Sequence, residues 1–151
     1  MTGKIGILTA GNDVPGLNAA IRAIGKTAQN KNKMEIIGFQ DGFRGLIENK
    51  VTTLKNSDFS GILTTGGTVL GTSQDLPDQS VENPNFLDQA VSSYKLNKLD
   101  ALVCLGGAEM HMGTLALSEA GLNVIGIPKS IDNDVYGTDY AIGFDTALSV
   151  A

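Results

Sequence analysis

Between Lys129 and Asp134 the chain places a lysine, a hydroxyl and two carboxylates: Lys129, Ser130, Asp132 and Asp134. A carboxylate in such company accepts a hydroxyl proton, and an ammonium beside it holds an anionic group as a point charge. Together they suit chemistry on an anion, phosphate above all. Asp-Asn-Asp also makes plain surface turns in many proteins, so its placement decides. The apolar run Val124 to Ile127 reads as a short buried strand. Pro128 then stops the ladder and pushes Ile127 into an extended conformation. The polar residues are therefore expected just beyond the carboxyl end of a strand, where open α/β sheets bind their ligands.

The rest of the chain supplies elements to position them. Lys4–Thr9 reads as a first strand, followed by the turn Ala10-Gly11-Asn12-Asp13 and a helix from Gly16 to about Gln29. Glu35–Phe39 is expected to be the second strand. A short helical turn within Phe43–Lys50 and an edge strand at Val51–Leu54 come next. Asn56–Ile62 is expected to hold another helical turn capped by Ser57. Thr64–Thr68 is a second glycine-rich loop, and Leu76–Asn85 is linker-like. Phe86–Leu96 has the pattern of an amphipathic helix, Leu99–Leu105 of a central strand and Met110–Ala120 of a helix stopped by Gly121. Asn123–Ile127 is the next strand, and a last helix begins after Tyr140. Strands alternating with helices predict an α/β fold of three layers, Rossmann-like, with a mostly parallel sheet and helices on both faces.

Composition narrows the function. The chain has 151 residues, 19 glycines and a formal net charge of −5, which suits one α/β domain. The negative balance argues against nucleic acid or an acidic membrane as partner. No run of 18 apolar residues and no leader pattern occurs in the sequence, so the expectation is a cytoplasmic chain with no membrane span. Cys104 lies in an apolar strand and reads as a buried small hydrophobe. His111, the single histidine, has no second histidine or cysteine with which to build a transition-metal cluster, and reads as a partly exposed helical residue.

Three segments in fixed order go further. Gly11-Asn12-Asp13-Val14-Pro15-Gly16-Leu17-Asn18, Gly66-Gly67-Thr68-Val69-Leu70-Gly71-Thr72-Ser73 and Pro128-Lys129-Ser130-Ile131-Asp132-Asn133-Asp134 with Gly137-Thr138-Asp139 resemble the conserved loops of the phosphofructokinase family. The similarity runs from Lys4 to Ala151. It implies phosphoryl transfer from ATP or pyrophosphate to the 1-hydroxyl of fructose 6-phosphate, with Mg²⁺, in glycolysis, by a homo-oligomer. By that resemblance Asp132 is the base, Asp134 orients the site or a metal-bound water, and Lys129 neutralises developing charge. Ser130 contacts the acceptor or the transferred group. Gly11, Gly107, Glu109 and Thr72 surround the donor phosphates. The family's subunit is about twice this length, so residues 1–151 are expected to be its N-terminal, donor-binding domain.

Departures from the family pattern qualify that reading. Asn12 stands for a second glycine and Gln74 for a basic residue that contributes to the phosphate site. Gly106-Gly107-Ala108-Glu109-Met110 replaces a loop whose aspartate serves the Mg²⁺–phosphate site, and Ala108 has no oxygen to offer. No residue is therefore assigned as a certain metal ligand. Glu109 crowds the position of a nucleotide α-phosphate, and Lys129 stands where many ATP-restricted enzymes have glycine. Both favour pyrophosphate over ATP. An impaired enzyme, a catalytically dead binding module and an assembly subunit all stay open.

Overall fold

The computed structural model describes residues 3–75 and 84–151; most of the linker-like stretch Leu76–Asn85 lies outside them. Six strands form one sheet in the order β3-β2-β1-β4-β5-β6. They are β1 (Lys4–Thr9), β2 (Glu35–Phe39), β3 (Val51–Leu54), β4 (Ala101–Gly106), β5 (Val124–Ser130) and β6 (Ile142–Gly143). β3 runs antiparallel to β2, and every other pairing is parallel. The helices are α1 (Leu17–Asn32), α2 (Gly42–Ile47), α3 (Phe86–Leu96), α4 (Ala108–Glu119) and α5 (Phe144–Val150).

Alternation along the strands divides the core in two. Ile7 of β1, Ile36 of β2 and Val103 and Leu105 of β4 pack with Leu17, Ile21 and Ala28 of α1. Leu8, Ile37, Phe39, Leu102 and Cys104 point to the other face, against Phe43 and Leu46 of α2, Phe86 and Ala90 of α3, and Met110 and Leu117 of α4. Consecutive side chains of a strand project to opposite faces, so a near-continuous apolar run is what a sheet covered on both sides requires. The three-layer, mostly parallel arrangement is as expected. The buried Cys104 thiol is pushed up to about 12 by desolvation, which makes it an inert core group.

Four segments differ from expectation. Asn56–Ile62 forms turns, not a helix: Asp58 Oδ2 accepts from Lys55 N at 2.8 Å, and the Ser57 hydroxyl donates to Asp58 Oδ1 instead of capping a helix. Such local side-chain bonds compete with helix formation. Helix α4 starts two residues early, at Ala108, with Gly107 as its N-cap. Strand β5 runs through Pro128 to Ser130, where Pro128 pairs with Gly106 of β4. Its neighbour on the other side, β6, pairs only with Lys129 and Ser130. The missing N–H of Pro128 thus faces no ladder, which is the condition under which a strand tolerates proline. The two-residue β6 has no counterpart among the expected strands.

One close approach fixes the long helix that follows β1. A Cβ built on Gly25 of α1 would lie 2.2 Å from Phe59 Cζ, and Phe59 is 1% exposed. Gly25→Ala gains about 1 kcal/mol of helix propensity, but the displaced ring costs about 1–3 kcal/mol. We expect a lower urea midpoint for Gly25→Ala. We also expect Gly25→Ala/Phe59→Leu to lose less than the two single changes together, since residues in contact couple. Additive losses would contradict this packing.

Candidate functional site

At the carboxyl ends of the central strands, β1 leads into α1 on one face and β4 leads into α4 on the other. The chains diverge at this switch point and leave a crevice. A cavity of about 400 Å³ opens there. Its lining includes Gly11, Asn12 and Asp13 after β1, Gly107 to Met110 after β4, and Lys129, Ser130, Asp132 and Asp134 at the end of β5.

The floor is backbone. Gly11 has φ +82°, a left-handed conformation that glycine adopts without strain. A Cβ there would lie 3.2 Å from Met110 Cγ and 3.4 Å from Lys129 Nζ. Opposite it, α4 presents the N–H groups of its first turn, whose partners within the helix do not exist. Its first helical bond is His111 N to Gly107 O, 3.1 Å. Ala108, in that first turn, brings only a methyl group to the lining. Glu109 stands in that first turn, exposed and facing the cavity, where its charge favours the helix end.

Lys129 is the buried charge of the site, only 3% exposed. Its ammonium donates to Asn12 O, so the end of β5 is tied to the loop after β1 across the intervening β4. Burial lowers the Lys129 pKa, and the neighbouring Asp13 opposes that shift. Next to it, Ser130 Oγ donates to Asp134 Oδ1 at 2.6 Å and accepts from Asp132 N at 3.0 Å. Asp134 is therefore held by its neighbour. Among the described residues nothing bonds to the Asp132 carboxylate, although it lines the cavity. Of the two carboxylates, Asp134 has one oxygen engaged and Asp132 has none among the described residues.

The structure brings Lys129, Ser130, Asp132, Asp134, Gly11, Gly107 and Glu109 to one cavity. Thr72 is set differently. Its hydroxyl donates to Gly11 O at 2.6 Å, and Gly11 N donates to Ser73 O at 2.8 Å. Thr72 thereby clamps the floor loop from behind and is not part of the lining. His111 is half-buried with its ring against Gly126, and burial lowers its pKa.

Three supporting residues were not singled out from the sequence. The amide of buried Asn18 donates to Thr65 O at 3.0 Å and accepts from Val69 N at 2.8 Å, so α1 holds the second glycine-rich loop. Thr9 Oγ1 bonds Gly71 O at 2.7 Å. Asn133 adopts φ +54°, accepts from Ala141 N and donates to Asp139 O, both at 2.9 Å. Asn tolerates left-handed angles better than most residues, and here its side chain also fastens the loop beyond the carboxylates. The Asn133 signal was present in the Asp-Asn-Asp run; the Thr9 and Asn18 contacts join residues about fifty or more apart, which spacing along the chain does not reveal.

Mg²⁺ requires oxygen ligands and keeps several waters or phosphates in its shell. Among the described residues no three acidic, histidine or cysteine side chains cluster to hold a metal. Asp134 Oδ2 has no protein partner among them, and Asp132 is free, so the site fits an ion that arrives on phosphate but not an all-protein cage.

The phosphofructokinase family model matches residues 4–151. The chain is 53% identical over its whole length to the ATP-dependent 6-phosphofructokinase of Propionibacterium freudenreichii, covering 41% of that enzyme. It is 46% identical to the ATP-dependent 6-phosphofructokinase of Spirochaeta thermophila, over 99% of this chain and 43% of that one. The chain thus spans less than half the length of these curated relatives. Among solved structures, Pichia pastoris phosphofructokinase in the T-state superposes with a TM-score of 0.83 at 31% identity, over 95% of this chain and 17% of that one. Pyrophosphate-dependent phosphofructokinase from Marinobacter aquaeolei shares the fold, with a TM-score of 0.78 at 16% identity over 94% of this chain and 37% of that one. The crevice at the switch point, with its glycine floor and its Lys-Ser-x-Asp-x-Asp wall, is built on a chain that belongs to the phosphofructokinase family.

Proposed function

We propose that residues 1–151 form the donor-binding domain of a 6-phosphofructokinase, and that the cavity receives the phosphates of ATP or pyrophosphate. The observation that carries this reading is the convergence of a glycine floor, a helix N-terminus and a buried lysine on one crevice that Asp132 also lines. Backbone N–H groups and an ammonium hold phosphate oxygens. Asp132 accepts the proton of the 1-hydroxyl of fructose 6-phosphate as that oxygen bonds to the terminal phosphorus. The bond from phosphorus to the leaving phosphate breaks in the same displacement, giving fructose 1,6-bisphosphate. Asp134, fixed by Ser130, would hold Mg²⁺ or one of its waters; when bound, the ion offsets phosphate charge. Lys129 supplies positive charge at the same place. The cytoplasm is the proposed location and a homo-oligomer the proposed state.

The donor is weighed by two opposed observations. Glu109 at the cavity and the buried Lys129 suit pyrophosphate, while the relatives at 53% and 46% identity are named ATP-dependent. Ala108, with no oxygen for a metal, favours a second reading in which the chain binds donor without turnover.

Calorimetric titration with ATP and with pyrophosphate, each with Mg²⁺ and with chelator, tests donor binding. An assay of fructose 1,6-bisphosphate tests turnover. We expect saturable, Mg²⁺-dependent binding of one donor. Asp132→Ala should lower any turnover by about 10²-fold or more, the scale of a lost general base, and leave donor affinity within about twofold. Undiminished turnover in Asp132→Ala would overturn the assignment of the base, donor binding without turnover would support the second reading, and no binding would contradict both.

The state of Lys129 gives a pH dependence. Its pKa is lowered from the ordinary 10.5, so the ammonium loses its proton at a lower pH than a free lysine. Donor affinity should therefore fall as pH rises below 10.5, and Lys129→Met should bind weakly with that fall removed. The sign for stability is opposite: the unfolded lysine holds its proton more tightly, so this group's contribution to stability grows as pH rises between the two pKa values. An alkaline fall in affinity that persists in Lys129→Met would contradict the assignment.

A further inference from the structure

Asn12 and Gln74, two of the residues that depart from the family's loops, touch each other. Gln74 Nε2 donates to Asn12 Oδ1 at 2.7 Å. We propose that Asn12 is a phosphate-recognition residue of the cavity and that Gln74 is the positioning residue that aims its carboxamide. The inference rests on the donor-phosphate reading above and names a further contact within it.

A carboxamide has two unlike ends, one accepting and one donating two N–H bonds. Turned one way it attracts an anion, and turned the other it repels it. In this chain the accepting end is taken by Gln74. Among the described residues no group accepts from Asn12 Nδ2, and Asn12 lines the cavity. The bond to Gln74 therefore removes the oxygen from competition and leaves the donating end for a ligand. Asn12 is absent from the residues of positive φ, so its backbone makes no demand that only glycine meets.

The surroundings keep this arrangement in place. Asn12 O accepts from the Lys129 ammonium. The adjacent Gly11 is bonded through its N–H to Ser73 O and through its carbonyl to the Thr72 hydroxyl. Residues 11–12 and 72–74 are thus stitched by backbone and side chain alike, so Gln74 reaches Asn12 from a fixed frame. A single fixed donor pair beside Lys129 adds recognition without adding positive charge. It offsets in part what a basic residue at 74 would supply, since hydrogen bonds to charged groups are worth more than neutral ones.

The test is calorimetric titration of Mg²⁺-pyrophosphate and Mg²⁺-ATP into the wild-type chain, Asn12→Gly, Asn12→Asp, Gln74→Met and Asn12→Gly/Gln74→Met. Thermal melts confirm that each variant is folded. For the donor that binds, Asn12→Gly should weaken affinity about tenfold, as loss of a hydrogen bond to a charged group does. Asn12→Asp, which turns donors into a like charge, should weaken it about a hundredfold or more. Gln74→Met keeps the length of the side chain but frees the Asn12 amide to turn, and should weaken affinity about three- to tenfold. The double variant should be no weaker than Asn12→Gly alone, because Gln74 acts only through Asn12. Wild-type binding with unchanged affinity in Asn12→Gly would overturn this proposal and leave the donor site standing. Fully additive losses in the double variant would overturn the positioning role of Gln74. A wild-type chain that binds neither donor would overturn the donor reading and this inference with it. If Asn12→Asp fails to fold, the remaining variants still decide.

Discussion

The parallel pairing of β1 with β4 is the constraint from which the site follows. The next helix packs on one face of the sheet after β1 and on the opposite face after β4. The two loops cannot cover the same ground, and a crevice opens between them. Apolar alternation in β1 and β4 enforces this, since Ile7 with Val103 and Leu105 needs cover from α1 while Leu8 with Leu102 and Cys104 needs cover from α2 to α4. The burial that stabilises the three layers thus also places two glycine turns and a helix N-terminus side by side. Fold and site share one cause.

A crevice is only a space; polar bonds make it specific. Lys129 ties β5 to the loop after β1, Thr72 and Ser73 brace that loop from behind, and Asn18 carries the second glycine-rich loop on α1. Ser130 and Asn133 fix the wall beyond β5, and the Asp132 carboxylate in that wall accepts no bond among the described residues. Groups held in this way are ready for a ligand before it arrives, which is what phosphoryl transfer asks of a protein, since catalysis there is mostly positioning and charge. The weak place is Ala108. On the proposed reading, donor recognition through backbone, Lys129 and Asn12 needs no oxygen at that position, whereas full stabilisation of a metal-bridged phosphate gains from one.

Much of this was legible in the sequence, and the limits have physical causes. Every long apolar strand and the helices α1, α3 and α4 follow from periodicity, and the first and third of the loop segments mark the cavity. Proline breaks a ladder, so Pro128 reads along the chain as the end of β5, yet only one edge of the strand is paired at that residue and the ladder continues past it. The early start of α4 turns on Gly107 taking an extended N-cap conformation, which a glycine pair does not announce. The motif around Thr72 points to donor phosphate, and its contact with Gly11 emerges only when residues 61 apart meet. The same holds for Asn12 and Gln74, which look like two separate losses along the chain and one contact in space.

On the proposed reading, donor phosphate sits in the crevice between β1, β4 and β5. Amide chemical-shift mapping with Mg²⁺-pyrophosphate and with Mg²⁺-ATP tests it most directly and suits a 15.7 kDa chain. The result in its favour is a saturable set of shifts centred on Gly11, Asn12, Gly107, Ala108 and Lys129, with the far edge at β3 unmoved. Shifts gathered elsewhere on the surface, or none with either donor, would contradict it.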